Sequence, residues 1–175
     1  MNKNINVKNK KWLPLGWKLM AAYGGFFILL SVLVPLFSYF SLPNQPTIIF
    51  ASGDEKFVGL SWSQIMSASP NLGLWIVFTM ISMCAMMMGL GILILALARR
   101  PYRYGERWAW WALLAATLIP VFAHYLFITA IHFAHGIPIW TLPPGSSGVG
   151  ADLINVVVLV WLYFGLWLPR KELKD

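Results

Sequence analysis

Residues 74–107 read "LWIVFTMISMCAMMMGLGILILALARRPYRYGER". The first 25, Leu74 to Ala98, carry no charge, and the nine that follow carry four arginines and Glu106. At ~1.5 Å per helical residue, such a run exceeds a hydrocarbon core of about 30 Å. The apolar stretch does not alternate, so it is not a barrel strand, and in lipid the remaining solution is a helix that satisfies its own backbone. A cluster of arginines at its end is what a cytoplasmic flank carries.

Working outward, three more runs have the same character: Leu19 to Phe40, Trp108 to Ala134 and Leu153 to Leu168. The expected fold is an all-α membrane protein, a single domain over residues 1–175. It has four antiparallel transmembrane helices at about 19–40, 74–98, 108–134 and 153–168. Composition agrees. The 175 residues are 59% hydrophobic and 11% charged, with a mean hydropathy of +0.69. Soluble domains carry about 25% charged residues, so this chain has too few to wet a globular surface. The first run, 22 residues long, exceeds a signal-peptide core and lacks an Ala-x-Ala-like site after it, so a retained anchor is expected.

The net charge of +7 is unevenly placed. Lys3, Lys8, Lys10, Lys11 and Lys18 precede the first run. Arg99, Arg100, Arg103 and Arg107 separate the second from the third, and Arg170, Lys171 and Lys174 follow the fourth. With four crossings all twelve lie on one side, and only Lys56 lies on the other. This pattern orients the protein with both termini cytoplasmic and makes nucleic acid an unneeded explanation of the charge. The lipid bilayer, with its anionic headgroups, is the partner it implies. Trp12, Trp17, Trp108, Trp110, Trp111 and Trp167 fall at the inner interface, Trp62, Trp75 and Trp140 at the outer one, and Trp161 within the fourth run.

The outer loop, 42–73, is Pro-punctuated at Pro43 and Pro46. It then reads "GLSWSQIMSASP", in which Ser61 and Gln64 form a capping box before a stop at Pro70. A short interfacial helix over about 62–69 follows, with Trp62 and Ile65 facing lipid or the bundle. Asp54 and Glu55, beside Lys56, are read as a solvated turn. The second outer loop, "GIPIWTLPPGSSGVG", is a Gly- and Pro-rich connector, and "RKELKD" at the end reads as a short solvated tail.

Two stretches, "GLSWSQIMSASPNLGLW" (59–75) and "RRPYRYGERWAWWALL" (99–114), resemble a set of small bacterial four-helix integral membrane proteins. These share a Gly-(Leu)-Ser/Thr-Trp surface helix and a basic-Tyr-x-x-Gly-Glu-Arg-Trp-Ala-Trp-Trp entry into the third span. The resemblance covers about half of the chain. It implies the topology and a bacterial inner-membrane location, and it implies no activity. Physically, Tyr104-Gly105-Glu106-Arg107 is a tight turn that places Glu106 near the positive end of the third helix.

Candidate site residues concentrate in the third run. At 100° per residue, Ala109, Ala112, Ala116, Ala123, Ala130 and Ala134 form one small-residue stripe, suited to close helix contact. Thr117, His124, His132 and His135 form another, which Pro120 can distort by kinking the helix. Asp152 and Asn155 open the fourth run from the same side as His132 and His135, which completes a plausible outer polar cluster. Three uses compete. The histidines can hydrogen-bond Asp152, Asn155 or carbonyls and tie two spans together. With Asp152 they can form a first-row metal site, or His124 can be an axial haem ligand. They can also line a polar pathway. Hydrogen bonding is preferred, because no other run supplies a second histidine for haem. Met80, Met83, Cys84 and Met87 share a face of the second run and form a soft-ligand set suited to Cu(I), although methionine more often fills gaps. Ala85 and Gly89, four apart, are a small-x-x-x-small contact that favours packing on this same helix. A lone cysteine excludes an intramolecular disulfide.

There is no P-loop, dinucleotide fingerprint, nucleophile elbow or His-Glu-x-x-His. The expected function is that of a small membrane accessory or structural subunit, packing against itself or a larger membrane complex, with no cofactor and no catalysis of its own. The alternatives are a haem- or metal-binding redox protein built on the histidines and a lipid- or quinone-type ligand site in the bundle.

Overall fold

The computed structural model describes residues 11–46, 55, 58–134 and 157–174. Among them the regular elements are helical, and no strand forms beyond one isolated bridge between Glu106 and Lys174. α1 is Leu13–Phe40, α2 Trp62–Ala68, α3 Pro70–Leu97 and α4 Arg107–Ala134. A π turn, Ala98–Tyr102, continues α3. The C-terminal helical segment begins in the described region at 157 and tightens through a π turn, Tyr163–Trp167, into a 3-10 turn, Leu168–Glu172. Two helices among the described residues, Leu13–Phe40 and Pro70–Tyr102, are long and apolar enough to cross a membrane.

Local chemistry sets several helix ends. Ser61 accepts from the Gln64 N–H at 3.3 Å while the Gln64 side chain accepts from the Ser61 N–H at 2.8 Å, a complete capping box. α2 runs only seven residues before Ser69, whose hydroxyl accepts the Leu72 N–H and so caps α3, with Pro70 in the first turn. Gly105 adopts φ +80°, a left-handed conformation that suits glycine and reverses the chain between the π turn and α4. α2 lies against protein: Trp62 and Ile65 are buried with Val77 of α3. The Trp62 indole donates to the Pro43 carbonyl at 2.9 Å. Glu55 is not simply solvated, because its carboxylate accepts the Trp62 N–H at 2.8 Å and the Gln45 amide at 3.1 Å.

α1 and α3 cross at glycines. A Cβ on Gly24 would lie 2.7 Å from the Gly91 oxygen and 2.8 Å from the Leu95 nitrogen, and one on Gly91 would lie 2.9 Å from the Gly24 oxygen. The two backbones therefore touch directly. Ala85 and Gly89 take no part in this crossing: both are exposed, and a Cβ on Gly89 would meet nothing within 4 Å among the described residues. The contact falls two residues later, on the opposite side of α3. The alanine stripe of α4 is likewise buried at one end only, with Ala109 in the core and Ala130 and Ala134 exposed.

The main core lies at the arginine-bearing end of the helices, where Met20, Tyr23, Ile94, Tyr102, Trp110 and Leu166 pack together. A smaller cluster of Val34 and Cys84 lies further along α1 and α3. Elsewhere the helices present large apolar side chains outward, including Phe78, Met86 and Phe122.

Candidate functional site

Of the residues expected to form an outer polar cluster, Thr117 is the one whose surroundings are described. It is buried, and its hydroxyl donates to the Leu113 carbonyl at 2.8 Å, within its own helix. Its polarity is thus satisfied without a ligand. His124 and His132 lie on the α4 backbone, but their side chains fall outside the described structure, as do His135, Asp152 and Asn155 altogether. Among the described residues, no three His, Cys, Asp or Glu side chains come together as a metal site.

The sulfur face of α3 is split by its neighbours. Cys84 is buried against Val34, with Met80 partly buried beside it, whereas Met83 is half exposed. Met87 is partly buried. Contact with apolar side chains of α1 is what this face does in the structure.

The described residues do assemble a site at the arginine-bearing end. Its construction begins with α1, which has no side-chain cap at Trp12. The carboxylate of Glu172 supplies one instead, accepting the N–H groups of Lys11, Trp12 and Leu13 at 3.0, 3.0 and 2.8 Å. A carboxylate at a helix N-terminus satisfies orphan donors and opposes the helix dipole at once. The bond spans 159 residues between Leu13 and Glu172, so it ties the two ends of the described chain together.

Further bonds fix the same segment. The Tyr102 hydroxyl donates to the Gly165 carbonyl at 2.6 Å, and the Trp110 indole donates to the Leu166 carbonyl at 2.8 Å. Both carbonyls are in the π turn, where helix bonding is irregular and acceptors are open to outside donors. The Trp161 indole donates to the Leu19 carbonyl at 2.8 Å, and the Lys174 N–H donates to the Gly105 carbonyl at 2.7 Å. Gly16 and Gly165 allow this approach, since a Cβ on Gly16 would overlap Pro169 and lie 2.8 Å from the Gly165 oxygen. The reading of "RKELKD" as a solvated tail is therefore corrected: the segment is folded against α1 and the Gly105 turn.

Held this way, the segment forms one wall of a pocket of about 460 Å³ lined by Arg107, Trp110, Trp111, Trp167, Arg170 and Lys171, with Leu173. The Arg170 guanidinium lies 5.5 Å from the Trp110 ring and 5.4 Å from the Trp167 ring, within cation–π range of both. On the neighbouring surface Arg103 lies 5.1 Å from the Trp17 ring. The described carboxylates nearby are engaged elsewhere, Glu172 on α1 and Glu106 on the Trp108 indole. The result is a cationic rim over an indole wall.

The sequence names every one of these residues, yet the pocket is not legible in it. Trp167 and Arg170 are three apart, a spacing that brings them to one face of a helical turn. Their meeting with Trp110 depends on bonds across more than 50 residues. Comparison with protein-family models, with curated proteins and with solved structures finds no match for this chain.

Proposed function

We propose that this chain is a four-span membrane protein with both termini on the cytoplasmic side, acting as a non-catalytic accessory or structural subunit that packs against a second copy or a larger membrane complex. The observation that carries the reading is the exposed face of α3. Ala85 and Gly89 offer a close-approach surface, and the described helices leave it uncovered. In lipid, helices associate through close packing of such small residues, because the hydrocarbon around them is as apolar as leucine. Supporting the membrane part of the reading, two helices are long and apolar enough to cross, and Phe78, Met86 and Phe122 each face outward at 65% exposure or more. An exterior of that kind is poorly suited to water and well suited to lipid. The bias of twelve cations to one side supports the orientation.

The test is crosslinking and native mass spectrometry of the chain extracted from its own membranes in mild detergent, with Gly89→Leu alongside. Recovery with a second copy or with larger subunits is expected, together with loss of that association in Gly89→Leu at unchanged helicity. A monomer recovered alone, or an assembly indifferent to Gly89→Leu, overturns the reading.

A further inference from the structure

The pocket at the arginine-bearing end has a composition that a merely structural end would not need. We propose that it is a binding site for the phosphate group of an anionic phospholipid, with Arg170 and Lys171 holding the phosphate and Trp111 and Trp167 holding the glycerol and first acyl carbons. The proposal rests on the membrane-spanning reading above, which puts this end at the cytoplasmic headgroup level.

Three observations carry it. First, the site is built: the segment bearing Arg170 and Lys171 is clamped by Glu172 on α1 and by Lys174 on Gly105. Its cations are thus presented in a fixed place and not on a loose tail. Second, the charged side chains among the described lining residues are all cationic, with no carboxylate. Glu172, the nearest in sequence to the two cations, is committed to three backbone N–H groups. Third, the wall is amphipathic in the sense a lipid headgroup needs. Trp111 and Trp167 are more than half exposed beside the cations, while the Trp110 nitrogen is already bonded to Leu166, leaving its ring to stack under Arg170. Guanidinium groups bind phosphate with fixed fork geometry, and stacking on indole restricts the fork further. At about 460 Å³ the pocket falls within the 300–1,000 Å³ of small-ligand sites and suits a glycerophosphate headgroup. The other hollow at this end, lined by Arg100 and Glu106 among apolar residues, combines opposite charges and lacks this asymmetry.

Free phosphate has the same chemistry as a headgroup, and the experiment separates them. The full chain in detergent is titrated with dioleoylphosphatidylglycerol, dioleoylphosphatidylcholine or inorganic phosphate, and bound species are counted by native mass spectrometry. One retained phosphatidylglycerol per chain is expected, preferred over phosphatidylcholine and not displaced by millimolar inorganic phosphate. The Arg170→Gln/Lys171→Gln variant is expected to lose about tenfold or more in phosphatidylglycerol affinity, as the removal of two headgroup-facing cations implies. The Lys18→Gln/Arg99→Gln variant makes the same change in net charge outside the pocket and is expected to retain binding. Arg170→Lys, which keeps the charge, is expected to fall between, and far-UV circular dichroism verifies that each variant remains helical. Equal losses in the two double variants mean diffuse attraction and overturn the site, as does equal binding of phosphatidylcholine. Displacement by inorganic phosphate overturns the lipid assignment. Flotation with vesicles of pure phosphatidylcholine tests the membrane reading separately: a chain that floats yet shows no headgroup preference loses this site alone, and a chain that does not float loses both.

Discussion

Adding one methyl group at the α1–α3 crossing tests the packing most directly. At Gly91 the new Cβ would lie 2.9 Å from the Gly24 oxygen, and at Gly24 it would lie 2.7 Å from the Gly91 oxygen and 2.8 Å from the Leu95 nitrogen. Ordinary contact begins at 3.4 Å, so the backbones must retreat by roughly half an ångström, and neither partner is a flexible side chain that can swing away. Overpacking of this kind costs about 1–3 kcal/mol, against which alanine recovers up to about 1 kcal/mol of helix propensity. Each of Gly24→Ala and Gly91→Ala should therefore destabilise by up to about 2 kcal/mol. The double variant should cost less than their sum, because one separation of the helices accommodates both methyl groups. Gly25→Ala and Gly89→Ala are matched controls in the same two helices, with no described residue within 4 Å of the added atom, and should be neutral or stabilising. The assay is thermal or denaturant unfolding in one detergent, followed by circular dichroism. If all four substitutions shift the midpoint alike, or if the Gly24 and Gly91 variants are the more stable pair, the crossing is not the contact the structure describes.

Two further outcomes follow from the C-terminal clamp. Glu172→Gln keeps the shape but replaces a charged acceptor with a neutral amide. It should cost about 1–2 kcal/mol, visible as faster hydrogen exchange at the Lys11, Trp12 and Leu13 amides, and unchanged protection there would refute the capping role. Tyr102→Phe removes a buried hydroxyl that donates to the Gly165 carbonyl at 2.6 Å, and so deprives that acceptor of this donor. A loss of about 1–3 kcal/mol in unfolding free energy is expected, and a variant as stable as the parent would show that the bond is not a net contributor.

Several features could be read before any coordinates because their causes are local. The uncharged stretches yield long helices, with α3 and α4 each 28 residues long and broken by the arginine-bearing turn. The Ser61–Gln64 box forms as its spacing dictates, since both partners lie within one helical turn. Gly105 reverses the chain with a positive φ, as a glycine in Tyr-Gly-Glu-Arg suggests. Each of these depends on neighbours only a few residues away.

The tertiary structure decided which surfaces meet. Helical periodicity identifies a small-residue face but does not say what covers it: α1 and α3 cross at Gly24 and Gly91, while Ala85 and Gly89 stay exposed among the described residues. The same periodicity grouped the sulfur face of α3, which packing divides between Cys84 inside and Met83 outside. Composition made "RKELKD" look like a solvated end, because a glutamate among lysines gives no sign that it caps a helix about 160 residues earlier. The indole–arginine pocket arises for the same reason, from chain-distant groups brought together by the π turn and the Glu172 clamp. Where a residue's role depends on its own helix, the amino-acid sequence determined it. Where the role depends on which helix lies opposite, only the packing of the whole chain did.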